Sequence, residues 1–578
     1  MQTSRRRFTF GLLSSTMLAP SLAVAKTKVE QPLRRPNIIT IVLDDVGFSD
    51  LGCFGGEINT PAIDGLAQRG QRFNRFDSKA VCSCTRASLL TGRNSHSVNF
   101  PDVPDTAFGP FAKDFPFPTF HLPDTAQTSA QTLQDAGYAT WLVGKWHLIP
   151  MDHLAPGTSR KNWPRARGFD YFYGFARGWT DQYKPELVEN DDYIHPDLPA
   201  DYHVSAGLVD KSIELIEAHA ERADADKPFF LHLGMGVAHS PIQAPAEYSA
   251  RYSGRYSEGW DVLRERRFER MKAMNIIPAN TSLPPRAEDD RAWTDLSEDE
   301  RVVFARYMEV YAGFIEHADA QLGRLMDCLE KQGLRDDTMI VFLSDNGAAS
   351  EAGQNGFFEA LYQPNTLTPA EQRQRMIELG TVATQSEYPR PWAGVSSAPF
   401  RRYKLWPFLG GVRTPLIVSW PAFTQQGGEI RDQYVDVVDL APTMLEAAGT
   451  SFPATVNGQA EMPVAGRSFL HGLRDSKAKG RQRQFFELRG NRAITDGHWR
   501  AVGLHSCGVD NYDNDDWQLF DTAEDFSEMY NVADKKPAVL SHMKKLWQQE
   551  WDRWVDQPLE LPSPVICMLA GDLSDVTP

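Results

Sequence analysis

The sequence predicts an α/β protein built on one large sheet, followed by a smaller C-terminal α+β part. Three observations carry this prediction. Short apolar, β-rich runs alternate with helical patterns along most of the chain, as in a sheet covered by helices. One long helix is signalled at both of its ends. Beyond a basic, polar stretch, RDSKAKGRQRQ, the pattern changes to alternating strands and a final amphipathic helix. With 578 residues, 42% of them hydrophobic, the chain can bury a large core.

Residues 1–25 read as an export signal. Arg5, Arg6 and Arg7 precede an apolar run from about Phe8 to Leu22, and Ala23-Val24-Ala25 supplies a small-x-small cleavage site. Ser4-Arg5-Arg6-Arg7-Phe8 resembles a twin-arginine signal, which implies the twin-arginine export machinery as a partner and a periplasmic destination. The apolar run is too short and too interrupted for a stable membrane anchor, which needs about 20 apolar residues.

Buried strands are expected at 37–43 (NIITIVL), 139–143, 228–233 (PFFLHL), 338–343 (TMIVFL) and 416–420. The long helix starts at Ser297, with Glu300 completing a capping box. It runs through Val303, Val310, Phe314, Leu322, Leu325 and Leu329 to Gly333. The composition change near Leu473 divides the mature chain into a main domain, 26–472, and a C-terminal subdomain, 473–578. In the latter FFELRG, RAITDGHWRAVG and WQLFDT read as antiparallel strands and 538–554 as a helix.

Charge and cysteine usage restrict the chemistry. Lys plus Arg number 60 against 76 Asp plus Glu, a net −16, which disfavours nucleic acid as a partner. The six cysteines, Cys53, Cys82, Cys84, Cys328, Cys507 and Cys567, include no C-x-x-C pair, so a thiolate metal site has no ligand set. Cys82 and Cys84, one residue apart, are poorly spaced for a relaxed disulfide. Neither a nucleophile-elbow G-x-S-x-G nor a phosphate-binding P-loop is present.

Polar residues gather at the predicted strand ends, where open α/β sheets bind ligands. NIITIVL runs into Asp44-Asp45, and TMIVFL into Ser344-Asp345-Asn346-Gly347. Either pair alone reads equally well as a turn and helix cap. Together they offer three carboxylates and a carboxamide, hard oxygen ligands that call for a divalent cation, Ca²⁺ with Mg²⁺ as the alternative. Lys145 and His147 (VGKWHL), His239 (VAHSP) and Lys404 (FRRYKLW) add basic groups beside strands or turns. Singly, these are ordinary solvated lysines and core histidines; collectively they suit an anionic substrate.

The motif Cys82-Ser83-Cys84-Thr85-Arg86, followed by Thr91-Gly92, resembles the signature of the sulfatases, C-x-P-S/T-R with T-G after four residues. Further stretches of that resemblance are LDDVGFSDLGCFGG, RARGFDYFYG, FLSDNGA, GGVRTPLIVSWP and DVVDLAPTMLEAAG. It extends over nearly all of the mature chain and is nearest to the large bacterial arylsulfatases. It implies an alkaline-phosphatase-like fold, a large mixed and mostly parallel sheet with helices on both faces. It also implies a sulfuric ester hydrolase acting on sulfate monoesters, with 26–472 as the catalytic domain. Cys82 would be oxidised to formylglycine by a formylglycine-generating enzyme and hydrated to a diol that attacks sulfur. By position, Asp44, Asp45, Asp345, Asn346 and residue 82 would hold the metal. Arg86 would orient the diol, Lys145 and Lys404 would hold sulfate oxygens, His147 would take a proton during sulfate release and His239 would assist the leaving alcohol. Phosphonate monoester or phosphodiester hydrolysis is the alternative within the superfamily, and a non-catalytic binding protein the alternative if Cys82 stays unmodified. Two positions depart from the pattern: Cys84 replaces the signature proline, and Leu409 stands where K-x-x-x-x-E-G-G has its acid after Lys404.

Overall fold

A computed structural model describes residues 1–2, 35–107, 120–222, 226–363, 365–424, 426–506, 509, 511–555 and 559. The expected export signal lies outside the described residues except for Met1 and Gln2.

The main sheet has ten strands, in the order β11-β2-β10-β9-β1-β8-β4-β5-β6-β7. These are β1 (Asn37–Leu43), β2 (Gln71–Phe73), β4 (Ala139–Lys145), β5 (Tyr171–Phe175), β6 (Leu187–Glu189), β7 (Asp192–Ile194), β8 (Phe229–Gly234), β9 (Thr338–Ser344), β10 (Leu416–Ser419) and β11 (Glu429–Arg431). Two short ribbons accompany it, β3 (Phe76–Asp77) with β12 (Val435–Asp436) and β13 (Thr455–Val456) with β14 (Gln459–Ala460). The centre is parallel: β1 pairs with β8 and β9, and β4 with β8 and β5. β10 is antiparallel to β9 and β2, and β6 to β5 and β7. The sheet is thus mixed and mostly parallel at its core, as expected. All five expected strands form, within two residues at each end.

Parallel strands buried on both faces read as continuous apolar runs, and β1 shows why. Ile39, Ile41 and Leu43 point into one core, while Ile38 and Val42 point into the other. The helix Glu298–Lys331, capped by Ser297 and Glu300 as expected, lays Val303, Val310, Phe314, Leu322, Leu325 and Leu329 on the first core. The helix Cys82–Thr91 lays Leu89 and Leu90 on the second.

A four-stranded antiparallel sheet, β15 (Arg483–Leu488), β16 (Asn491–Asp496), β17 (Trp499–Leu504) and β18 (Asp516–Asp521), forms near the C-terminus. Its one face packs Phe485, Ile494 and Leu519 against Trp547 and Trp551 of the helix Pro537–Trp554. Its other face contributes Phe486, Leu488, Val502 and Phe520 to the main core. The basic, polar stretch RDSKAKGRQRQ is partly fixed. Arg481 forks onto both oxygens of Asp439 at 2.6 and 2.9 Å, and β15 begins at Arg483. A bidentate guanidinium–carboxylate pair explains why so polar a stretch is ordered.

Candidate active site

β1 and β9 lie side by side, with Leu43 opposite Ser344, so the residues that follow them emerge together. Asp44, Asp45, Asp345 and Asn346 are all buried to 1% exposure or less. Asn346 Nδ2 donates to Asp45 Oδ1 at 2.6 Å, and the Asp45 N–H donates to Asp345 Oδ1 at 3.4 Å. Asp45 has φ of 60°, a left-handed turn that Asp tolerates and that aims both carboxylates of the pair inward. Gly347 is required next, because a Cβ there would stand 2.0 Å from the Gly410 carbonyl oxygen.

These residues fit a hard divalent cation. Ligand atoms of Asp44, Asp345 and Cys82 lie within 4.8 Å of one another. Asp44 Oδ1 and Asn346 Oδ1 are buried without a hydrogen-bond partner among the described residues, the condition in which an oxygen ligand waits for a metal. Burial and repulsion from Asp345 push the Asp44 carboxyl up to about 7. Burial also acts to raise Asp345 and Asp45, but Arg86 overrides it for the first and Lys404 for the second, holding both below the usual carboxylate range.

Cys82 is the first residue of its helix and has its side chain at this cluster. Its Sγ, standing where the oxygens of a modified residue 82 would be, lies 3.2 Å from His147 Nδ1. His147 Nε2 is bonded to Asp105 Oδ2 at 2.7 Å. Because a carboxylate only accepts, Nε2 carries the proton and Nδ1 is left as an acceptor facing residue 82. Gly178 packs on this imidazole so closely that a Cβ would stand 2.6 Å from its Cε1. Arg86, one turn along the helix, donates to Asp345 Oδ2 from Nε at 3.0 Å and Nη2 at 2.7 Å. Lys145 Nζ bonds Asp44 Oδ2 at 2.7 Å, and Lys404 Nζ bonds Asp45 Oδ2 at 2.8 Å. His239 Nε2 is 3.8 Å from the same Asp45 oxygen, and burial pushes His239 down to about 4. All ten residues singled out from the sequence therefore converge on one place.

A cavity of about 200 Å³ opens onto Cys82. It is lined by His147, His239 and Lys404, and also by Trp179, Tyr362 and Arg489. The last three, with Asp105 and Glu351, were not singled out from the sequence. Glu351 bonds Lys404 Nζ at 2.5 Å, so an acid reaches this lysine although position 409 is Leu. The Leu409 N–H instead donates to Glu528 Oε2 at 2.8 Å. One signal for Arg489 was available: an Arg-Gly pair at the tip of a readable hairpin.

A sulfatase family model matches residues 36–450, which includes all ten residues that converge around Cys82. The chain belongs to the sulfatase family. A second model, described as the C-terminal part of N-sulphoglucosamine sulphohydrolase, matches residues 404–553 of this sulfatase. An uncharacterized sulfatase of Schizosaccharomyces pombe is 31% identical over 536 residues, 89% of this chain and 93% of the relative. An arylsulfatase of Klebsiella aerogenes is 31% identical over 472 residues, 79% of this chain and 95% of the relative. Among solved structures, that of Ps i-CgsB in complex with k-i-k-neocarrahexaose superposes with a TM-score of 0.61 at 21% identity, covering 92% of this chain and 96% of the other. The phosphonate monoester hydrolase SpPMH from Silicibacter pomeroyi shares the fold with a TM-score of 0.56 at 19% identity, covering 90% of this chain and 96% of the other.

Proposed function

We propose that this enzyme hydrolyses sulfate monoesters, of arylsulfatase type, with residue 82 as nucleophile after oxidation of Cys82 to formylglycine. The observation that carries the reading is the placement of Cys82 between the Asp44/Asp345 oxygens and the acceptor Nδ1 of His147. Asp44, Asp45, Asp345, Asn346 and residue 82 would hold one divalent cation, Ca²⁺ before Mg²⁺ because the donors are mostly carboxylate and carboxamide oxygens. When bound, the cation supplies Lewis-acid stabilisation of negative charge.

The chain's own side chains do the rest. Lys145 and Lys404 flank the Cys82 position from two sides and hold the sulfate oxygens in a buried cradle whose charge is arranged before substrate arrives. Arg86 spans Asp345 and the Lys145 carbonyl and orients residue 82. His239, which lines the same cavity, is placed to assist the departing alcohol. His147, held through Nε2 by Asp105, accepts a proton at Nδ1 from residue 82 as sulfate leaves, the same division of labour between base and orienting carboxylate that acyl-transfer triads use.

Two measurements test this. Mass analysis of the tryptic peptide containing Cys82 is expected to show aldehyde in place of thiol; thiol alone in the active protein refutes the nucleophile. A panel of aryl sulfate, phosphonate and phosphodiester substrates sharing one leaving group is expected to show sulfate turned over fastest; a faster phosphonate or diester would assign the enzyme to the alternative reaction. The reading includes export through the twin-arginine route to the periplasm, because Arg5 and Arg6 precede the apolar run. Changing both to Lys is expected to hold the enzyme in the cytoplasm, and unchanged export overturns that part.

A further inference from the structure

The cavity above Cys82 carries a cation that the sulfate chemistry leaves unused. Arg489 and Gly490 form the tip of the β15–β16 hairpin, and both have positive φ, 53° and 83°. Two-residue turns of this hand require positive φ at both positions and favour Asn or Asp before the Gly, so an Arg here is uncommon. The side chain does not leave for solvent, as a hairpin-tip arginine normally would. It is 7% exposed and lines the cavity with Cys82, His147 and Lys404.

The guanidinium is also fixed. Nε and Nη2 donate to Asp102 at 2.8 and 3.2 Å, and the Asp102 side chain is itself 2% exposed. Nη1 makes no hydrogen bond among the described residues. Asp102 belongs to the same short loop as Asp105, so one segment sets both His147 and Arg489. The other acids of the wall are engaged, Asp105 by His147 and Glu351 by Lys404. The same cavity is also lined by Val103, Trp179, Tyr362 and Leu405, apolar and aromatic surface suited to the face of a ring.

We infer that Arg489 is a specificity-determining residue, selecting leaving alcohols whose ring bears a second oxyanion, a carboxylate or another sulfate, beside the ester that is cleaved. This rests on the sulfate-ester reading above and names its substrate class. The planar fork of Arg matches such groups, and because its hydrogen bonds go to Asp102 and not to the cluster around Cys82, it reads the alcohol and not the sulfate being removed.

The test compares matched pairs on the mature, metal-loaded enzyme: meta- and para-carboxyphenyl sulfate against their carbamoyl isosteres, and sulfophenyl sulfates against their sulfamoyl isosteres. The anionic member of at least one pair is expected to have roughly tenfold or greater kcat/KM, the scale of one charge-assisted hydrogen bond. Which pair shows it distinguishes carboxylate from sulfate. Arg489→Gln, which keeps a hydrogen bond for Asp102, and Arg489→Met are expected to bring the ratio to about one, while Arg489→Lys keeps part of it. Turnover of the neutral sulfates with no anionic preference overturns the inference and leaves the sulfatase reading standing. Turnover of no sulfate ester overturns both. A ratio that survives in the Gln, Met and Lys variants, whatever their overall rate, makes Arg489 a strut between hairpin and loop and sinks the inference.

Discussion

At the scale of single residues, the two cysteines of VCSCTR have separate tasks. Cys82 is the first residue of its helix and Cys84 the third, inside the first turn, where backbone N–H groups have no intrahelical acceptor. That is why the signature can carry a proline there. The Cys84 thiol takes no part in the Asp44/Asp345 cluster and donates to the Phe100 carbonyl at 3.1 Å. Cys82→Ala is therefore expected to abolish turnover. Cys84→Ala is expected to keep both the oxidised residue 82 and turnover, at a cost of about 1 kcal/mol for the lost bond; Cys84→Pro is expected to fit the same turn. A Cys84→Ala protein that is oxidised at 82 yet inactive would give Cys84 a chemical role. The carboxylates are equally separable from the fold's shape. Asp345→Asn keeps an oxygen acceptor for Arg86 but removes the charge that balances a cation. Metal content by elemental analysis is expected to fall together with turnover, the latter by more than the roughly 10–100-fold typical of groups that only support ligands. Full activity of this variant after exhaustive chelation would refute the metal assignment.

At the scale of elements, the buried helices impose an acid limit on stability. The helix Val204–Ala220 is capped by His203, whose Nδ1 accepts from the Ser205 N–H at 3.2 Å while Nε2 donates to the Gln243 carbonyl at 3.2 Å. Its ring meets that of His317, from the helix Glu298–Lys331, at 4.4 Å. Burial pushes His203 down to about 4 and His317 to about 3. The folded state therefore keeps both imidazoles neutral while the unfolded chain protonates them below about pH 6.5. Stability is fully present above that pH and falls as pH decreases toward 4, by on the order of 1 kcal/mol per pH unit for each histidine. Urea midpoints at pH 7, 5.5 and 4.5 are expected to drop more steeply for the wild type than for His317→Gln; parallel slopes would refute the assignment. Such elements were readable because their signals are local. The apolar run of β1, the Ser297–Glu300 capping box and the acids directly after β1 and β9 each lie within a few residues of one another. Asp105 and Glu351 were not readable, since each acts on a partner brought to it by the fold, His147 and Lys404; for Arg489 the hairpin was readable but not the cavity over Cys82 that it lines. Loops leave no period in the sequence, so their convergence emerges only with the sheet.

At the scale of the whole molecule, the C-terminal sheet completes the site as well as the core. Residues Arg35–Pro578 form a single compact unit, and the composition change near Leu473 falls within it. Glu528 is the clearest tie: its Oε2 accepts from the Leu409 N–H at 2.8 Å and its Oε1 from Arg500 Nε at 2.7 Å, with both side chains exposed by 1% or less. This fixes the turn that follows Lys404. Arg481 on Asp439 and Arg489 on Asp102 add two ion pairs across position 473. Phe486, Leu488, Val502, Phe520 and Phe526 enter the core shared with β1 and β9, each contributing roughly 1.5–3 kcal/mol. Their sum is comparable to the entire stability of a folded protein, about 5–15 kcal/mol. Removing 473–578 would also strip the partners of Asp439 and Asp102, leaving charges without their cations. A chain of residues 26–472 is therefore expected to give no cooperative thermal transition and no turnover, even though it retains Cys82, His147, Lys404 and the metal-ligand cluster. A soluble 26–472 protein that melts cooperatively and hydrolyses an aryl sulfate would show that the main sheet is self-sufficient and that the C-terminal sheet only decorates it.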